Sequence, residues 1–177
     1  LTGGTANTSA ATPAAPAGKQ RIPYRDVLSP RILLCLLLLF LYCGHQSGMN
    51  NWLPTFVADQ LGYDALASGA GVSVFWLGLI LGRFACSFLT RLVGERLLVF
   101  LGFLLGGGSL LIGVLTGGET GIFGGTLGAG LFAGATIPMV LTLAYTCHPA
   151  PQGTLAAVLV LGTTGSTTVF PLPMGVV

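Results

Sequence analysis

Charge is what this sequence has least of. Seven Lys and Arg and five Asp and Glu stand among 177 residues, 7% in all. A soluble domain carries about 25% charged residues, so this chain lacks the means to cover a water-facing surface. Cysteine is also scarce: Cys35, Cys43, Cys86 and Cys147 form no C-x-x-C pair, which removes a zinc or disulfide framework and leaves small apolar fillers. No glycine-rich stretch is followed by Lys-Ser or Lys-Thr, so direct ATP hydrolysis has no support. No basic run offers a surface to nucleic acid. Cofactor or metal chemistry is not indicated, and neither is an enzyme.

Hydrophobic residues and glycine fill the space that charge leaves. The first make up 53% of the chain, and glycine supplies 28 residues. Glycine at that level inside apolar segments is the mark of closely packed membrane helices. A bilayer core about 30 Å thick needs roughly 20 helical residues to cross. Five runs qualify: residues 32–57, 67–90, 97–115, 121–146 and 155–177. Each is far longer than the roughly 9 to 11 residues of a barrel strand. The fold expected is an all-α integral membrane bundle of about five transmembrane helices. Residues 1–18, rich in Ala, Thr, Gly and Pro, offer no large apolar side chain after Leu1. They read as a disordered linker, and residues 19–31 as a basic juxtamembrane segment.

Threading the spans alternately through the bilayer places Lys19, Arg21, Arg25, Arg31, Arg83, Arg91 and Arg96 on one side. Arg83 falls at the end of the second span on this reading. Asp59, Asp64 and Glu119 fall on the other side. By the positive-inside rule the cationic side is cytoplasmic. The linker is then expected inside and the C-terminus outside, in a multi-pass membrane protein that is a fragment of a longer chain.

Glycines recur within the spans at the spacing that lets helices approach closely: Gly78 and Gly82, Gly102 and Gly106, Gly121 and Gly125, Gly130 and Gly134. Plain packing accounts for them; helices that slide or rock would use them too.

One apolar run is interrupted by polarity. In "YCGHQSGMNNWLP", residues 42–54, the first span carries His45, Gln46, Ser47, Asn50 and Asn51. Gln46 and Asn50 are four apart and share a helix face. Each side chain offers donors and acceptors, a match for neutral polyols more than for ions. Exposing them to lipid is costly, so they belong on the bundle interior or on water. Trp52 serves either as an interfacial anchor or as a cavity or gate residue. His45 titrates near pH 6.5 when unperturbed and suits proton carriage; bonding to a neighbouring helix is the plainer role. Phe75 and Trp76 stack on a sugar ring or fill the lipid side. Thr136, Thr142 and Tyr145 line the cavity or bond back to their own helix. Pro54, Pro138 and Pro171 each remove a backbone donor and kink a helix.

Three stretches carry a resemblance. "GRFACSFLTRLVGERL", Gly82 to Leu97, resembles the cytoplasmic signature loop of the major facilitator superfamily. Arg91, Gly94 and Arg96 fit that signature, Gly82 and Arg83 match a Gly-Arg pair upstream of it, and Thr90 stands where an aspartate is usual. Residues 130–145 look like the family's tenth span and residues 162–176 like its eleventh. The "WLPT" after Gly44, and Gln46 to Asn50, are similar to fucose-permease-like and sugar-porter members. The resemblance implies the second half of a secondary transporter, spans seven to eleven, with the missing N-terminal half completing it. It implies alternating access for a small-molecule solute, a sugar or similar neutral polar compound, across the lipid bilayer. Gln46, Asn50, Asn51, His45, Trp52 and Trp76 are the expected substrate contacts. Gly82, Arg83, Arg91, Gly94 and Arg96 are the expected gating loop. No acidic residue other than Glu95 lies in or beside the gating loop, and none lies in the spans. A coupling proton or sodium ion would therefore be held elsewhere, and uniport stays open. Efflux of amphipathic drugs is one alternative; a non-transporting membrane scaffold or receptor is another.

Overall fold

A computed structural model describes residues 29–147 and 152–171. The expected linker, most of the basic segment, His148 and the last residues of the fifth run lie outside that range. Among the described residues every regular element is a helix. Four stretches are long and apolar enough to cross a bilayer: Pro30–Leu61, Ala65–Val93, Glu95–Thr116 and Gly118–Thr146. A fifth, Gly153–Val169, is apolar but shorter.

Helix α1 (Pro30–Leu61) starts on a proline, whose fixed φ suits the first turn and whose missing N–H is no loss there. It ends at Gly62, where φ is 68° and the amide returns to the Ala58 carbonyl at 2.8 Å. Pro54 lies inside α1 without interrupting it. Having no N–H, it leaves the Asn50 carbonyl without its usual i+4 donor. The short α2 (Ala65–Ser68) is capped by Asp64, whose Oδ1 accepts from the Ala67 amide at 2.8 Å. It leads through Gly69 into α3 (Ala70–Val93).

The next two connections are single residues. Gly94 alone separates α3 from α4 (Glu95–Thr116), with φ 80° and ψ 155°, a conformation essentially confined to glycine. Gly117 turns α4 into α5 (Gly118–Ala133) in the same way. Turns this short reverse the chain, so that consecutive spans run antiparallel.

Helix α5 passes into α6 (Thr136–Cys147) across Gly134 and Ala135. Pro138 explains the break, because the Gly134 carbonyl has no amide four residues on. On either side the ladder resumes, Gly134 N–H to Gly130 O at 3.0 Å and Met139 N–H to Ala135 O at 3.2 Å. Helix α7 (Gln152–Val169) is interrupted at Phe170, and Pro171 is again helical at the edge of the described residues.

Helix α5 lies at the centre, packed on α3 and α4, while α1 packs on α6 and α7. Glycine sets the first two contacts. A methyl group on Gly82 would collide with the Leu131 carbonyl, and one on Gly130 with the Phe75 carbonyl. On the α4 side, a Cβ at Gly102 would stand 2.8 Å from Phe132 O, and one at Gly125 2.7 Å from Ser109 O. These backbones touch because no side chain separates them. Gly106 is looser, with its nearest neighbour, Ala129 O, at 3.6 Å. Apolar clusters fill the two ends of the bundle. Ile32, Leu39, Leu98, Val140 and Leu155 pack at the end bearing Gly94. Leu53, Val57, Phe75, Leu79 and Ile122 pack towards the other.

Candidate functional site

The polar run of α1 divides over three faces. Ser47 and Asn51 form the first, and Ser47 meets α7. The buried Ser47 hydroxyl donates to the Thr167 carbonyl at 3.2 Å, and the Asn51 amide donates to Ser47 O at 2.8 Å and to Ser47 Oγ at 3.3 Å. An interhelical bond of this kind inside a membrane contributes about 0.6 kcal/mol on average. Around it α1 and α7 are fitted closely: Gly44 lies under the Phe170 ring, which meets Phe40 edge to face at 5.6 Å. Asn51 is exposed and bonds back to Ser47 on its own helix, while Ser47 alone of the two bonds α7.

Gln46 and Asn50 form the second face. The Trp76 indole N–H, from α3, donates to Asn50 Oδ1 at 2.9 Å. Asn50 and Gln46 are half-buried, and Trp76 is 38% exposed. This edge of the α1–α3 seam opens on the bundle's surface. Two of the residues expected at the site, far apart in sequence, meet here. Phe75, next to Trp76, points the opposite way: it is fully buried and packs edge to face on the His45 ring at 6.1 Å. It neither faces lipid nor lies open to a solute.

His45 and Trp52 belong to the third face, with Met49 and Phe56. They line a cavity of about 520 Å³ between α1, α4 and α5, closed across by Leu110, Val114 and Ile122. A volume of this size suits a small organic molecule. Its lining is almost wholly apolar, and the Thr126 hydroxyl there already bonds to its own helix at Ile122 O, 2.7 Å away. Sequence spacing gave no hint of this cavity, because α1 and α4 come together only through α5.

The expected gating residues separate as well. Gly94 is the α3–α4 turn, with Arg91 in the last turn of α3 and Arg96 near the start of α4. Cations at the α3 C-terminus are favoured by the helix dipole. Gly82 is a packing glycine against α5. Arg83 is not in the turn: it stands inside α3, about ten residues before Val93. The helix continues past it because nothing before Gly94 breaks the hydrogen-bond ladder. Thr142 bonds back to Pro138 O at 2.9 Å, the plainer of its two expected roles. Cys43 and Cys86 are buried thiols, as fillers should be.

Outside the spans, the Tyr63 phenol after α1 is hydrogen-bonded to Glu119 in the first turn of α5. Its ring lies 6.3 Å from Phe123. That hydrogen bond, with a smaller contribution from burial and from the carboxylate's charge, raises the Tyr63 pKa above its ordinary 10.0. The contact ties the α1–α2 connection to the end of α5.

No curated protein and no solved structure matches this chain. The family model of the Major Facilitator Superfamily matches residues 3–171, nearly its whole length. With an all-α bundle of apolar helices on the page, the chain belongs to the major facilitator superfamily and serves membrane transport of small molecules as an integral, multi-pass protein.

Proposed function

We propose that this protein moves a small polar solute, a sugar or similar polyol, by alternating access along the α1–α3 seam. The Asn50–Trp76 hydrogen bond supports this reading best. It holds an amide and an indole together at an open edge, where a solute hydroxyl can compete for either group. Gln46, one turn away on the same face, adds a second amide. Aromatic and amide groups side by side suit a sugar, which presents an apolar ring face and a rim of hydroxyls. In this reading the end bearing Arg91, Gly94 and Arg96 is cytoplasmic. The short turn there rocks with the bundle as the two sides open in alternation. The carboxylates of the described spans, Asp59, Glu95 and Glu119, all lie in terminal turns, so the proposal assigns no coupling-ion site to the middle of these helices.

A second reading has its own support. The apolar cavity behind α1, with Met49, Trp52 and Phe56 on its wall, favours an amphipathic organic compound over a sugar. Counterflow in proteoliposomes separates the two. Labelled fucose, glucose and a polyol are offered to wild type, Gln46→Ala and Asn50→Ala. The sugar reading expects exchange that falls at least tenfold in both variants while the protein stays monodisperse. Exchange of no sugar, with efflux of an amphipathic cation untouched by either substitution, would transfer the function to the apolar cavity.

A further inference from the structure

The polar stripe of α1 has a third member that the sequence pattern did not single out. Tyr42, Gln46 and Asn50 follow at four-residue intervals, and Tyr42 at the inner end packs with Cys43 and Ala133, beside Phe103 and Ile137. On α3, Trp76 and Arg83 are seven apart and share a face, separated by about 10 Å of helix. Because α1 and α3 run antiparallel, the two series pass each other in opposite order. Asn50 bonds Trp76 at one level, and Arg83 acts on the Tyr42 hydroxyl at the other. Gln46 lies between them.

Arg83 is the unexpected group. Its Cα stands about 16 Å along the helix from the Gly94 turn, roughly half the thickness of a 30 Å hydrocarbon core. A cation at that depth needs water or an anion. Among the described residues no carboxylate pairs with it: Asp59, Asp64 and Glu119 sit at the far end, and Glu95 begins α4 beyond the turn. The side chain is exposed on the bundle's surface and not sealed in its core. Beside it, the Tyr42 hydroxyl is buried, with Tyr42 only 2% exposed, and lacks a hydrogen-bond partner of good geometry. A donor fork and an unsatisfied hydroxyl therefore converge at mid-membrane.

We propose that Arg83 and Tyr42 bind a carboxylate on the transported solute, making the substrate class a polyhydroxylated carboxylate, a sugar acid. The guanidinium grips both carboxylate oxygens in the forked geometry that arginine favours. The Tyr42 hydroxyl donates a further bond to one of them. Gln46, Asn50 and Trp76 meet the hydroxyls along the remaining length. A six-carbon chain with a hydrogen bond of about 2.9 Å at each end is comparable in length to the roughly 10 Å of helix between positions 76 and 83. The inference rests on the reading of the α1–α3 seam as the solute site and adds a charge to its substrate.

The test is counterflow of labelled glucuronate and gluconate beside glucose, in proteoliposomes with wild type, Arg83→Gln, Arg83→Lys, Tyr42→Phe and Gln46→Ala. Monodispersity and melting temperature report folding for each variant. Wild type is expected to exchange the acids at least tenfold faster than glucose. Arg83→Gln should lower acid exchange tenfold or more, and Arg83→Lys should raise KM for the acid with a smaller loss. Tyr42→Phe should cost about fivefold. Glucose exchange that Gln46→Ala abolishes, with the acids excluded, would overturn the sugar-acid inference and leave the seam as the site. Exchange of neither class would overturn both. Acid exchange equal in wild type and Arg83→Gln would also overturn it. If Arg83→Gln does not fold, the acid-over-glucose preference of wild type and the KM of Arg83→Lys decide.

Discussion

Helix α5 meets α3 and α4 backbone to backbone, whereas α1 meets α3 through side chains. At the first kind of contact, Gly82 and Gly130 leave no room for a methyl group. Lipid supplies no hydrophobic drive between helices, so such close approach is how a bundle gains attraction. At the second kind, Asn50 and Trp76 bridge a seam that stays partly open, and a cavity lies behind it. The difference separates a scaffold that has no slack from a face that has groups to offer. Polar side chains kept at an open membrane-level edge serve function more readily than stability.

Breaking the scaffold should give the largest effect. Gly82→Val places two methyl groups where the Leu131 carbonyl stands, and backbone cannot swing aside as a side chain can. Overpacking a core costs about 1–3 kcal/mol and more where nothing yields. The expected outcome is loss of monodisperse protein on size-exclusion chromatography. Gly107→Ala, on the same bundle but with open space around it, should melt within a degree or two of wild type.

Next comes Gly94→Ala. The backbone there is in a region that costs a non-glycine residue about 1–3 kcal/mol. A fall in melting temperature with transport kept per folded molecule is expected. A variant as stable as wild type would show that the α3–α4 turn has another conformation open to it.

Asn50→Ala sharpens the comparison from the other side. Removing the acceptor of the Trp76 bond should cost about 0.6 kcal/mol of stability yet at least tenfold in exchange. A stability loss as large as that of Gly82→Val, with exchange intact, would make the seam scaffold too.

The smallest effect belongs to Tyr63. Its raised pKa means that the phenol's contact with Glu119 is fully present below pH 10 and is lost as pH rises through the higher folded value. Tyr63→Phe should therefore remove an ultraviolet-detected tyrosine ionisation above pH 10. Melting measured at neutral pH should barely move, since this contact is exposed and screened.

The spans were legible because a run of about 20 apolar residues has few other fates. So was the kink at Pro138, which follows from backbone chemistry at a single residue; the one-residue turns at Gly94 and Gly117 were not read from the sequence. The direction of each helix face was not. In water, polar residues point outwards and reveal the inner face; in a membrane both faces are apolar and the signal vanishes. Phe75 and Trp76 illustrate this: neighbours in sequence and similar in chemistry, one is buried on His45 and the other bonds Asn50 at an open edge. Tyr42 was readable in principle from its spacing to Gln46 and Asn50. Its meaning came only with Arg83, which reaches it from another helix.

Whether the α1–α3 seam faces water decides between these accounts most directly. Ile80 stands between Trp76 and Arg83 on the same face of α3 and is 48% exposed; Ile112 on α4 is 63% exposed on another side of the bundle. In sealed vesicles, a membrane-impermeant maleimide should label Ile80→Cys and leave Ile112→Cys untouched, with solute slowing the first reaction. Equal protection of both cysteines would put the seam in lipid and contradict the assignment of Gln46, Asn50, Trp76 and Arg83 to the transport path.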